Sequence, residues 1–461
     1  MLLIAVIMGS LFLYALIVKP EYVAVVFFTI TIADMNASVE GLPVNIRAFI
    51  GLALFARTML PMKMEEHDSF FSTPAKYIVI FLLYTMVLSE FYDLLDVTYA
   101  RTCALTFISA YTGYHFFFKY NDTRLLKLSL LIAGLICFSD LVFTYVTEGN
   151  FPVIRIYKHL LGIPEQLNER GEIVEAINWG FYGLICGMAF VVLLADYING
   201  KLVSKIGLAL MPVMFLGVLM STSRSALLGV AGISFFIMAR EFNHQVRWKR
   251  AASLLMIIFS ALIVSIIVFM SIQSLLNLNK DFMDEIALRL IDEPIAVLNK
   301  HLGLNYNVHS LGAMEWRTEA SSDALGAFLN LKTVEEFFGI GFWGYVTRNL
   351  GHNNLPPHNG LLMLLIEFGI VGIVYWSVMI YSFLARSFKV SDMTSPMSVS
   401  MIFIILFSLA NNAELTGSIM FLFASTLIAE NIFYAGTRAK VVSLPVTEGS
   451  LKMQHLQTNE S

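Results

Sequence analysis

Apolar runs of helical length recur along most of the chain. They predict spans near 2–18, 22–35, 44–60, 77–93, 102–118, 127–146, 177–195, 206–220, 225–239, 252–272, 360–384, 398–411 and 417–436. Several are short against the roughly 20 residues that a bilayer core requires. Lys19-Pro20-Glu21 interrupts the first two, which are either separate crossings or the halves of a re-entrant pair. No strand alternation or long polar domain competes with this pattern, and a closed helical bundle is what a lipid solvent permits. The fold class expected is therefore all-α: a polytopic integral membrane protein with about 12 transmembrane helices, 11 to 13.

The spacing of the runs divides the chain. Transmembrane helices fill 1–147, a loop follows at 148–176, and further helices occupy 177–272. A large loop covers 273–359, the last helices lie within 360–436, and a tail runs over 437–461. The first run, MLLIAVIMGSLFLYALIV, lacks a basic n-region and a small-residue cleavage site, and reads as a retained helix. The large loop carries Trp316, Phe337, Phe338, Phe342 and Trp343, an aromatic content that argues for folding back over the bundle rather than disorder.

Composition agrees with the pattern. Of the 461 residues, 57% are hydrophobic and 14% charged, against roughly a quarter charged in an ordinary soluble domain. A net charge of −4 gives no electrostatic footprint for nucleic acid. The three cysteines, Cys103, Cys137 and Cys186, lie far apart in apolar stretches, which argues against a disulfide framework or a cysteine metal site. No HExxH, no phosphate-binding Walker loop and no Asp-rich cluster occurs, so neither a metal nor another cofactor is expected.

The basic residues set the orientation. With the large loop outside the cytoplasm, the inner segments hold eighteen of the thirty Lys and Arg, and the short outer ones hold six. That asymmetry follows the positive-inside rule and puts the C-terminal tail in the cytoplasm. The sidedness of the N-terminus depends on the doubtful second span.

Three constellations at the expected outer boundary could carry chemistry. Ser221-Thr222-Ser223-Arg224-Ser225 sets a guanidinium between hydroxyls, suited to a phosphate; the same residues equally suit a tight polar turn with a snorkelling arginine. Trp316-Arg317 precedes Gly339-Ile340-Gly341-Phe342-Trp343-Gly344, whose glycines suggest a tight bend or a close approach to a ligand, or simply a loop turn. Pro356-Pro357-His358-Asn359-Gly360 enters a helix with a histidine able to serve as a general base or merely to pack the loop, and His352 is its rival. Carboxylates inside the runs form a fourth group: Asp34, Glu90, Asp140, Glu367 and Glu414. Ionisable groups there are costly and often functional, although Glu367, two turns into its helix, also suits a packing role.

S-T-S-R-S-A-L-L-G at 221–229, W-R at 316–317, G-I-G-F-W at 339–343 and H-N-G-L-L-M-L-L-I-E-F-G-I-V-G at 358–372 occur in the order seen in the O-antigen ligase and polymerase superfamily of bacterial envelopes, which the chain resembles over roughly 175–436. The resemblance implies a metal-independent glycosyltransferase of the inner membrane, with the large loop periplasmic. It would move a glycan from undecaprenyl diphosphate to lipid A–core or to another lipid-linked glycan, amid membrane lipid and polysaccharide assembly proteins. Carried over by position, Arg224 and Arg317 would engage the donor diphosphate. His358 would take the acceptor proton, with Asn359 and Glu367 in support. No second basic residue stands near Arg224 in sequence, so a two-arginine clamp depends on how the loop folds.

Two other classes compete. A transporter for polysaccharide or lipid-linked oligosaccharide also has about a dozen helices, but the expected internal repeat is absent and the basic groups gather at one boundary instead of the midplane. A structural assembly protein fits the topology and leaves Arg224, Arg317 and His358 without a role. Ligase and polymerase share these motifs, and the sequence does not separate them.

Overall fold

The computed structural model describes residues 12–33, 46–59, 70, 75–94, 97–120, 122–148, 179–200, 205–221, 223–241, 312–342, 344–348, 350, 359–390, 395–409 and 418–443, with scattered positions between 249 and 302. The described residues are helical and contain no strand. In chain order the helices are α1 (Phe12–Val18), α2 (Pro20–Ile32), α3 (Ile46–Met59), α4 (Ala75–Phe91), α5 (Val97–Tyr120), α6 (Arg124–Glu148), α7 (Trp179–Ile198) and α8 (Lys205–Met220). They continue as α9 (Arg224–Glu241), α10 (Gly312–Leu329), α11 (Thr333–Phe338), α12 (Gly344–Thr347), α13 (Gly360–Val390), α14 (Pro396–Leu409) and α15 (Ser418–Ser443).

Helices α1–α9 and α13–α15 fall where apolar runs expect them, while the run expected at 252–272 lies largely outside the described residues. Helix and membrane crossing are different properties, however. Among the described residues, three helices are long and apolar enough to cross a membrane alone: Arg124–Phe143, Phe181–Ile198 and Gly360–Ala385. α1 and α2 pass the same test together but are bent by 115° at Lys19. Pro20 causes that bend: as the first residue of α2 it lacks the N–H that would continue α1, and Lys19 before it adopts φ −138°, ψ 62°. The bend is the geometry of a broken span or a re-entrant pair.

α5 and α15 run parallel, Thr106 meeting Ser418 and Gly113 meeting Leu422 and Thr426, whereas other packed pairs run antiparallel. The Tyr182 hydroxyl donates to Asp140 at one end of the α6–α7 pair, and Lys127 pairs with Asp196 at 2.8 Å at the other. Gly183 and Cys186 of α7 meet Ser221 and Gly217 in reverse order along α8 and its end. Tyr84 and Tyr77 of α4 likewise meet Phe368 and Tyr375 of α13. The ends of α4, α6 and α8 therefore share one end of the bundle with the starts of α5, α7, α9 and α13.

α7 is the axis of the bundle. Its apolar window is 94% buried, whereas those of α6 and α13 are 44% buried and turn a face outward. A helix that is apolar all round belongs inside, and α7 is enclosed by α6, α8, α9 and α14. Phe403 of α14 fits between glycines of two helices. A methyl group on Gly187 or Gly229 would lie 2.4 or 2.8 Å from its ring. The three cysteines are buried and form no disulfide.

Candidate functional site

The Ser221–Arg224 turn closes α8 and opens α9. Ser221 Oγ donates to the Val218 carbonyl at 2.6 Å and accepts the Ser223 N–H at 3.3 Å, while Ser223 Oγ caps α9 by accepting the Ala226 N–H at 3.3 Å. These two hydroxyls are used by the backbone, as in a tight polar turn. Gly183 is glycine because a Cβ there would meet Ser221 Oγ at 2.6 Å and Ser223 Cβ at 2.8 Å. The turn is thus pressed onto α7, with half-buried Arg224 as the first residue of α9.

The glycine stretch of the second constellation meets the helix that the third one enters. α13 is broken at Gly369, whose φ of 65° and ψ of −171° interrupt the helical ladder. The three carbonyls before the break each face a donor from outside the helix. Ile366 accepts the N–H of Ile340 at 3.2 Å, and Glu367 accepts that of Gly341 at 2.9 Å. Phe368 faces the Tyr84 hydroxyl at 2.9 Å. An unpaired carbonyl in an apolar interior costs several kcal/mol, on the order of 2–7, so Gly339–Phe342 acts as a strap that makes the break tolerable. Gly339 and Gly341 hold positive φ values of 84° and 86°. A Cβ on Gly339 would stand 2.2 Å from the Glu367 carbonyl oxygen, and one on Gly369 would stand 2.4 Å from the Gly339 nitrogen. The glycine-rich stretch therefore approaches a helix backbone, where the sequence suggested a tight bend or an approach to a ligand.

The strap is fastened on its other side to α4. The Phe342 N–H donates to Ser89 Oγ at 3.2 Å, and the Phe342 ring stacks on Tyr99 with centroids 4.3 Å apart. Ile340 joins Ala324 of α10, Tyr345 of α12 and Ile366 of α13 in a small separate core. This core ties the segment 312–350 to the first half of α13, and α10, which carries Arg317, packs against α13.

A charged pair joins α11 to the residue that follows α12. Arg348 pairs with Glu335 at 2.7 Å and holds its guanidinium 4.7 Å over the Tyr92 ring. Burial pushes the Glu335 carboxyl up, but the Arg348 hydrogen bond, the Lys332 backbone N–H and the two positive charges outweigh it and leave the pKa below the ordinary value. Burial raises the Tyr92 phenol, with the Glu335 charge adding to it and Arg348 opposing. Burial also raises Tyr345, with Asp323 adding to the rise.

Asn359 caps α13, its Oδ1 accepting the Leu362 N–H at 3.1 Å. Glu367 is buried, at 6% exposure. His358 and its rival His352 lie outside the described residues, as do Thr222, Trp343, Asp34 and Glu414. Arg317 is placed only as a position on α10, with its side chain outside the description, and Trp316 likewise. Glu90 is exposed at the end of α4, while Asp140 is buried and receives the Tyr182 hydroxyl.

The fold thus joins the Gly339 strap, the helix of Arg317 and the Asn359–Gly369 stretch. Arg224 belongs to α9, which packs against α7 and α14; α13 also packs against α14, so this helix stands between the two parts. Tyr84, Ser89, Tyr92 and Tyr99 were not legible as site residues, since they lie in or beside ordinary apolar runs with no motif around them. Arg348 is likewise a loop arginine without a signature.

Residues 209–377, a little over a third of the chain, match the family model described as O-antigen ligase. This supports the likeness to the O-antigen ligase and polymerase superfamily that the motifs carry, and with the apolar helices it makes the chain an integral membrane protein. No curated protein matches the chain significantly.

Proposed function

We propose, from the O-antigen ligase match over residues 209–377, that the protein transfers a glycan from undecaprenyl diphosphate to an acceptor at the outer face of the bacterial inner membrane. The observation that carries this reading is the coincidence of the matched stretch with the assembled end of the bundle. Arg224, Arg317, the glycine strap, His358 and Glu367 all fall within the match, and the strap and α10 pack onto the first half of α13.

The chemistry suits these residue types. Transfer breaks a bond between a sugar and a diphosphate, so negative charge grows on the leaving group. Guanidiniums hold such a group in a bidentate manner and keep their charge at any physiological pH, which favours the transition state over the ground state. Arg224 and Arg317 take that role without a metal ion. His358, one residue before the cap of α13, removes the proton from the acceptor hydroxyl as its oxygen attacks the anomeric carbon. Asn359 fixes the start of the helix that presents the base, and Glu367 anchors it two residues before the break. A single base with direct displacement gives inversion at the anomeric carbon.

The acceptor is lipid A–core if the protein is a ligase and a second lipid-linked glycan if it is a polymerase. Deletion in the native host, with surface polysaccharide and lipid-linked intermediates resolved on one gel, tests the reading. A ligase leaves long chains on the lipid carrier and none at the surface; a polymerase leaves single repeat units. An unchanged pattern in a host without a second copy removes glycan transfer and favours transport of another substrate.

A further inference from the structure

We propose that Tyr84 is a positioning residue for the transfer reaction, an inference that rests on the reading above and adds to it a contact from outside the matched stretch. Tyr84 lies on α4, far upstream of residue 209. Its hydroxyl is 2.8 Å from the Phe338 carbonyl and 2.9 Å from that of Phe368. Phe338 is the last residue of α11, directly before the strap, and Phe368 directly precedes the break in α13. One hydroxyl proton therefore serves two acceptors on the two segments that must stay together. The ring also packs against α13, where a Cβ on Gly372 would lie 3.4 Å from Tyr84 Cε1, in ordinary contact.

The break turns this contact into control of geometry. Beyond Gly369 the first part of α13 is a short arm that starts at Gly360, beside the Asn359 cap. Nine residues at 1.5 Å each give an arm of about 13 Å. A tilt of roughly 5° about the break moves its far end by about 1 Å, and a displacement of that size at a reacting centre costs on the order of a hundredfold in rate. The strap resists sliding along the arm through the Ile340 and Gly341 amides. The Tyr84 hydroxyl fixes strap, arm and α4 at a single point.

Tyr84→Phe removes the hydroxyl and keeps the ring. Tyr375→Phe is the matched control, because Tyr375 donates to the Tyr77 carbonyl at 3.1 Å between the same two helices, away from the break. The full chain is placed in proteoliposomes, with the lipid-linked glycan extracted from the deletion strain as donor and the envelope lipid fraction of that strain as acceptor. Positioning expects turnover in Tyr84→Phe to fall about ten- to a hundredfold, with the donor KM within about twofold of native. It also expects faster hydrogen exchange at the Ile340 and Gly341 amides, and native behaviour in Tyr375→Phe. Native turnover in Tyr84→Phe overturns the proposal, and so does an equal loss in both variants, which marks general packing between α4 and α13. Absence of transfer by the native chain overturns the glycan-transfer reading instead. Exchange then decides the clamp by itself: faster exchange in Tyr84→Phe supports it, and unchanged exchange removes it.

Discussion

Replacing Gly369 with alanine perturbs the strap from the helix side. The new Cβ stands 2.4 Å from the Gly339 nitrogen and 2.4 Å from the Phe337 carbonyl oxygen, both main-chain atoms that no rotamer change can remove. The φ of 65° and ψ of −171° at Gly369 also lie in a region essentially closed to other residues, costing about 1–3 kcal/mol before any clash is counted. If the strap lifts, the Ile366 and Glu367 carbonyls lose the donors described above, at about 1–3 kcal/mol each. If α13 instead straightens, alanine favours the continuous helix, and the same two strap amides lose their acceptors. The first route sums to a loss of about 3–9 kcal/mol and the second to about 2–6 kcal/mol. The checks are thermal unfolding in detergent and hydrogen exchange at Ile340 and Gly341, with Gly326→Ala as comparison. Gly326 is inside α10 with nothing within 4 Å of its hypothetical Cβ, so alanine there is expected to be neutral or to stabilise by about 0.5–1 kcal/mol. A Gly369→Ala protein with native unfolding temperature and protected strap amides refutes the account of the break.

Arg224→Ala, Arg317→Ala and His358→Ala are each expected to abolish glycan transfer with membrane insertion intact, and His352→Ala to be much milder; normal transfer in the His358 variant removes the proposed base. Lys127→Ala leaves Asp196, 7% exposed, without its cation and is expected to cost about 2–4 kcal/mol, largely recovered by adding Asp196→Asn, which a double-mutant cycle of unfolding measures. Phe403→Ala empties the space between Gly187 and Gly229, for an expected loss of about 3–5 kcal/mol in the same unfolding assay. Glu335 has a depressed pKa, so its contribution to holding α11 is complete above the ordinary carboxylate value of about 4.3 and is lost as pH falls through the lower folded value. Limited proteolysis of the 330–350 region at pH 6 and pH 3.5 reads that loss, which Arg348→Ala is expected to reproduce at pH 6.

Helix positions were legible because hydrophobic periodicity is local: the run at 177–195 contains everything needed to expect α7. The break in α13 was hidden for the opposite reason. Residues 360–384 read as one continuous apolar helix, and Gly369 within them is a tolerated helix glycine by any local rule. The donors that make the break tolerable lie elsewhere in the chain. Ile340 and Gly341 come from the loop, and Tyr84 is 284 residues from Phe368. The glycines of Gly339-Ile340-Gly341 signalled a close approach, but the sequence could not say to what. Arg224 and the strap carried motifs, whereas Ser89 and Tyr99 have no local mark that separates them from residues facing lipid.

The burial of α7 also bears on how the chain is made. Phe403, the side chain that fills its glycine notch, is synthesised roughly two hundred residues after Gly187. Through that interval α7 must wait without its final neighbour. A helix with a polar stripe would need shielding, but one apolar on every side can be held by acyl chains that are as hydrophobic as its eventual partners. The uniform apolar surface that makes α7 the centre of the finished bundle therefore also lets the bilayer act as its temporary host during biogenesis.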